Sequence, residues 1–100
     1  MATGGSTSQG ANANATGIVV LGNGPQVLNN AVINTVAQGT GIARGIHLLV
    51  VTGGLAVNNR ITEADRGINY AAGSTGKYRD NLTFGVTTPF TGGTDAGNNN

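Results

Sequence analysis

Cysteine and tryptophan are absent from this chain, aromatic residues number 4 and charged residues make up 9% of its 100 positions. Each shortage excludes something. Without cysteine there is no disulfide framework and no thiolate metal site, and the redox compartment stays open. His47 is the single histidine, so a zinc site is not expected. Five Lys and Arg against four acids leave a net charge of +1, and all five cations lie between Arg44 and Arg79. Binding nucleic acid through its phosphates calls for a basic stripe, which is missing. The longest apolar run, Ile46 to Val51, contains His47 and falls far short of the roughly 20 residues of a spanning helix. The opening MATGGSTSQGANANATG has neither the basic n-region nor the apolar h-region of a Sec-type signal peptide. No glycine pattern opens a dinucleotide helix or a phosphate loop, so no cofactor is expected.

What the chain does have is glycine, asparagine, threonine and short aliphatic runs. A disordered chain pairs high charge with few aliphatics; here Ile, Val and Leu cluster, which implies a folded centre. Residues 2–16 carry no apolar side chain larger than alanine, so segment 1–16 reads as a flexible arm. The tail 91–100, TGGTDAGNNN after Phe90, reads as a second polar, flexible arm. Between them, over 17–90, runs of three to six aliphatic residues end at Gly, Asn or Pro. Examples are Ile18-Val19-Val20-Leu21 before Gly22-Asn23-Gly24-Pro25, and Ile46 to Val51 before Thr52-Gly53-Gly54. These are strand signals. Only 30–38 and 60–71 have helix length, and Gly67 and the Val-Ile-Asn-Thr run oppose a helix there. An all-β chain is expected.

Spacing selects among all-β folds. Asn30, Asn59 and Asn81 are 29 and 22 residues apart, and the Gly-Ile steps at Gly17, Gly45 and Gly67 are 28 and 22 apart. Sandwiches and barrels turn every 8–12 residues, whereas repeats of 20–50 residues indicate solenoids. The intervals fit about three coils of a parallel β-helix with one long loop. In stacked coils equivalent positions lie about 4.8 Å apart. Asparagine tolerates corner geometry, and its amide both donates and accepts along a stack. Asn30, Asn59 and Asn81 are therefore candidates for a structural ladder, the alternative being that each only marks a turn.

The stretch NNRITEADRGINYAAGSTGKYRDNLTFGVTTPFTGGTDAGNN, through its NRIT…GI step and GKYRDNLT…GGTDAGNN ending, resembles the closing coils of right-handed parallel β-helix repeat proteins, the pectate-lyase-like group. The resemblance covers roughly 17–99. It implies a short right-handed β-solenoid, a scaffold that serves lyases, hydrolases, tailspikes, adhesins and passive structural coils alike, so function has to come from a site.

The carboxylates are Glu63, Asp65, Asp80 and Asp95. Glu63 and Asp65, two apart, share a face if the segment is a strand, with Arg66, Arg79 and Asp80 expected one coil away. Solvated corners and a surface ion pair worth at most about 1 kcal/mol are the favoured reading, so no catalytic or metal site is assigned. Tyr70 and Tyr78 are a possible glycan platform, set against capping of the core together with Phe84 and Phe90. A short solenoid leaves open sheet edges that are covered, continued or stacked on a second copy. The expectation is a non-enzymatic structural protein that self-associates as a homo-oligomer or filament, extracellular or at a cell surface. A terminal fragment of a carbohydrate-active β-helix that binds or cleaves polysaccharide is the alternative.

Overall fold

A computed structural model describes residues 3–5 and 12–100. Half of the expected flexible arm, residues 1–2 and 6–11, lies outside that set. The chain is all-β: β1 (Thr3–Gly4), β2 (Ala15–Asn23), β3 (Gln26–Leu28), β4 (Ala31–Ile33), β5 (Ala43–Thr52), β6 (Gly54–Val57), β7 (Arg60–Tyr70), β8 (Gly76–Arg79), β9 (Leu82–Thr91) and β10 (Thr94–Asp95). Every pairing between them is parallel. One sheet runs β1-β4-β7-β5-β2 with β9 also on β7, and the other runs β10-β8-β6-β3. Both β4 and β5 pair with the long β7, the first with its opening residues and the second with its last ones. The sheet therefore curls instead of lying flat.

The register explains why short aliphatic runs suffice. Ile18 lies against Ile46, Ile46 against Ile68 and Ile68 against Phe90, so one inward column is filled by side chains of similar bulk. A second column carries Val27, Ala56 and Tyr78, and a third Val32 and Ile61. Ile46, Leu48, Ile61 and Ile68 are completely buried. Burying such a side chain is worth roughly 1.5–3 kcal/mol, and cross-strand aliphatic pairs add a few tenths each. Four or five such positions form the centre of the core.

The chain turns where left-handed residues line up. Asn29, Asn58, Asp80 and Asn98 all have φ between 55° and 58°. At another corner Asn34, Glu63 and Gly85 have φ of 52°, 60° and 70°, and the Asn34 and Thr35 amides donate to Thr62 O and Glu63 O. Left-handed backbone costs most residues roughly 1–2 kcal/mol, and asparagine and aspartate offset it with local bonds. Close approach explains two other glycines. A Cβ on Gly45 would meet Ile61 Cγ2 at 2.7 Å and Gly67 O at 3.0 Å, and one on Gly67 would meet Pro89 O at 2.4 Å.

The tail 91–100 differs from the expectation. β9 extends to Thr91, β10 pairs with β8, and the Asn100 amide donates to Asn81 O. The segment has no apolar side chain to bury, yet the open edges of β8 and β9 give its backbone partners. At the other end β1 pairs with β4 inside the expected flexible arm, and β2 begins at Ala15, two residues before the expected boundary.

Candidate functional site

Each asparagine corner is a two-residue unit: a left-handed Asn or Asp that turns the chain, then an inward-facing Asn. The units are Asn29-Asn30, Asn58-Asn59, Asp80-Asn81 and Asn98-Asn99. Asn30, Asn59 and Asn81 are brought together, and Asn99 continues their column. The backbone N–H and Nδ2 of Asn30 both donate to Asn59 Oδ1, at 3.0 and 3.1 Å. Asn59 repeats this on Asn81 Oδ1 at 2.9 and 3.0 Å. Asn81 repeats it on Asn99 Oδ1 at 3.1 and 2.9 Å. The second Nδ2 proton goes to a backbone carbonyl: Asn59 to Val27 O, Asn81 to Ala56 O and Asn99 to Tyr78 O. Asn59 and Asn81 are fully enclosed. A buried carboxamide is expensive unless satisfied, and Asn59 and Asn81 each use both acceptor lone pairs and both donors.

The left-handed members form a second, exposed row. Asn58 Nδ2 donates to Asn29 Oδ1 at 2.7 Å, and Asn98 Nδ2 donates to Asp80 Oδ1 at 2.8 Å. That Asn98 bond, then the Arg79 guanidinium 2.8 Å from the carboxylate, hold the Asp80 carboxyl below its usual range. Sequence reasoning missed Asn99 and this outer row. The signal was present in the doublets Asn-Asn, Asn-Asn, Asp-Asn and Asn-Asn, whose second members fall on one column.

The carboxylates do not assemble into a catalytic group. Glu63 and Asp65 line a cavity of about 270 Å³ with Thr35, Ala43 and Ala64. Asp65 Oδ2 accepts from the Ala43 amide at 2.8 Å, which is a corner role. Arg79 and Asp80 pair with each other at the asparagine corner and not with Glu63 or Asp65. Among the described residues no three His, Cys, Asp or Glu side chains gather around a common point.

The tyrosines are not on a surface. Tyr70 is 3% and Tyr78 9% exposed, and both belong to the core cluster. The Tyr70 hydroxyl, with one proton to donate, lies within hydrogen-bond distance of both Lys77 O, at 2.9 Å, and Gly54 O, at 3.1 Å. Tyr78 stacks on Phe90 with ring centroids 5.1 Å apart. Burial, with Tyr78 alongside, pushes the Tyr70 phenol up to about 12. The glycan-platform reading of Tyr70 and Tyr78 is therefore withdrawn: the column inside β8 and β9 has room for large rings, and these two fill it. Phe84, by contrast, is 77% exposed.

His47 stands beside Asn69 in register and is partly buried. Burial first, then Arg44 and Arg66, push its imidazole below the ordinary histidine value. No helix among the described residues is long and apolar enough to cross a membrane.

Compared with protein-family models, curated proteins and solved structures, the chain matches none of them.

Proposed function

We propose that this chain is a segment of a right-handed β-solenoid of about three coils, of the pectate-lyase-like architecture, whose role is structural self-association. The observation that carries the reading is the polarity of the asparagine column. Each step donates from one coil to a carboxamide oxygen of the next in the same sense. A coil built this way donates on one side and accepts on the other; at the last rung the Asn99 side-chain amide donates to Asp95 Oδ1 of its own chain, a bond that a carboxamide oxygen of a second copy would replace in a head-to-tail contact. Contacts of that head-to-tail kind, repeated without closing, make a filament.

Two further features support it. β2, β3 and β10 each pair with one strand only among the described residues, as does β9 apart from the Thr83 amide bond to Asn100 O, and unpaired strand edges are templates for further strands. Large apolar side chains also point outward: Phe84 and Leu82 on one face, Leu21 and Val50 on another. Low charge with abundant Gly, Ala, Asn and Thr suits an extracellular fibre or coat.

Negative-stain electron microscopy of the purified chain at micromolar concentration tests this. Ordered filaments are expected. Isolated particles, with a sedimentation mass near the chain's 9.9 kDa, would remove the assembly reading. The cavity beside Glu63 and Asp65 favours one second reading, a terminal piece of a carbohydrate-active β-helix. That reading requires polysaccharide binding that Glu63→Gln and Asp65→Asn abolish.

A further inference from the structure

Arg44 and Arg66 are direct register partners on β5 and β7. Partners in a parallel pair lie about 4.8 Å apart, and like charges placed opposite one another destabilise a sheet. An arginine pair in this position ordinarily has carboxylates to answer it. Here the one ion pair among the described residues joins Arg79 to Asp80, and Asp65, next in sequence to Arg66, spends its carboxylate on the Ala43 amide. Arg66 Nη1 donates to Asn69 Oδ1 at 3.3 Å. Arg44 Nε is buried and has no partner, and the Thr91 hydroxyl, in register with Asn69, is in the same condition. Buried unsatisfied donors are rare and ask for an explanation.

We propose that a single oxyanion, a sulfate or carboxylate group, binds between the Arg44 and Arg66 guanidiniums. Two planar forks in register suit a two-pronged oxygen acceptor, which a pair of lysines would not. The anion neutralises the facing charges; Arg44 Nε itself is enclosed by protein, so it is the rest of the guanidinium that meets the anion. Asn69 fixes the Arg66 side chain from behind, and His47 lies close enough to sense the site. The uncompensated charge is felt locally: burial and then Arg66 push the Arg44 guanidinium below its usual value, and His47 is held down by both arginines after its own burial. This site is independent of whether the chain assembles.

The imidazole of His47, the single histidine, reports on it. Sodium sulfate and sodium acetate are titrated against sodium chloride at matched ionic strength, with the His47 ring protons followed by NMR. The expected result is a saturable shift with sulfate, acetate or both, accompanied by an upward move of the His47 titration midpoint as the cations are neutralised. Arg44→Gln and Arg66→Gln are each expected to weaken binding by on the order of ten- to a hundredfold, the value of a charge-assisted bond. Arg44→Lys keeps the charge and loses the fork, so it separates specific recognition from general attraction; it is expected to bind markedly less tightly than the parent. Oligosaccharides carrying the same sulfate or carboxylate groups distinguish a polymer-borne anion, which binds more tightly than the free ion, from a free one, which does not; either retains the site. A response that never saturates, or one that is unchanged in the Arg44→Gln, Arg66→Gln double variant while its spectrum stays dispersed, would overturn the proposal.

Discussion

Replacing Asn59 by alanine takes the middle rung out of the buried column. Four hydrogen bonds go with its side chain: two into Oδ1 from Asn30, and two from Nδ2, to Asn81 Oδ1 and Val27 O. At roughly 0.5–1.5 kcal/mol net for each bond, the expected loss is about 4 kcal/mol. A second line of reasoning agrees. The Asn30 amide loses its acceptor and Val27 O loses a donor at a site that is 0% exposed, and each orphaned group costs about 1–3 kcal/mol. Small domains have only about 5–15 kcal/mol in all, so this one change removes about a quarter or more. For a domain of this size it corresponds to a fall in Tm of roughly 15–30 °C.

The control is next door. Asn58→Ala loses one exposed bond to Asn29 and places alanine at a φ of 55°, which costs about 1–2 kcal/mol. Asn58→Gly restores the backbone freedom and should cost less still. Urea denaturation followed by far-ultraviolet circular dichroism ranks the three, with Asn59→Ala lowest. If Asn59→Ala unfolds within about 1 kcal/mol of Asn58→Ala, the column is not what holds the stacked strands together.

Three further outcomes are expected. Gly45→Ala brings a methyl against Ile61 and the Gly67 carbonyl, and overpacking of this kind costs about 1–3 kcal/mol; a urea midpoint equal to the parent's would show that the backbone yields freely there. Tyr70 is neutral in the fold with its phenol at about 12 against 10 when unfolded. Its contribution is therefore complete below pH 10 and disappears as pH rises from 10 to 12, and a urea midpoint flat across that interval would contradict its burial. Phe84→Ser removes an outward side chain, so stability should move by no more than about 0.5 kcal/mol while sedimentation shows weaker association; unchanged association would take Phe84 out of the proposed assembly face.

The parts of the fold legible in the sequence are those that translation along the sheet forces to repeat. Residues stacked about 4.8 Å apart must be compatible with their own neighbours, so Ile46 and Ile68 recur at the same interval as Arg44 and Arg66, and Asn59 and Asn81 recur with them. The corner at Asn34, Glu63 and Gly85 was not legible, because three different residues perform one backbone task. The ordered tail was not legible either. Strand reading weighs side-chain hydrophobicity, and 91–100 is held by amide bonds such as Ala96 N to Tyr78 O and Asn100 N to Asn81 O. Tyr70 and Tyr78 were ambiguous for a simpler reason: alternation assigns a face, and it cannot say how much covers that face.

The unequal intervals carry an argument of their own. The rungs of the column are 29, 22 and 18 residues apart, yet each repeats the same pair of bonds. In the first interval β4 and β5 are separate strands with residues 34–42 between them, and in the second β7 runs through the equivalent stretch without leaving the sheet. The additional residues thus leave the sheet at one corner and return to it. Their return is fixed from below: Asn12 Oδ1 accepts from the Thr40 amide, and Asn14 Oδ1 from Ile42. Loop length costs little entropy once the ends are held, since doubling it adds only about 0.6 kcal/mol. A chain pinned at its asparagine corner can therefore gain or lose residues at the far corner while the column stays in register. The asparagine corner carries the scaffold, and the 34–42 corner, beside Glu63, Asp65 and their cavity, is where this architecture has room to build a surface.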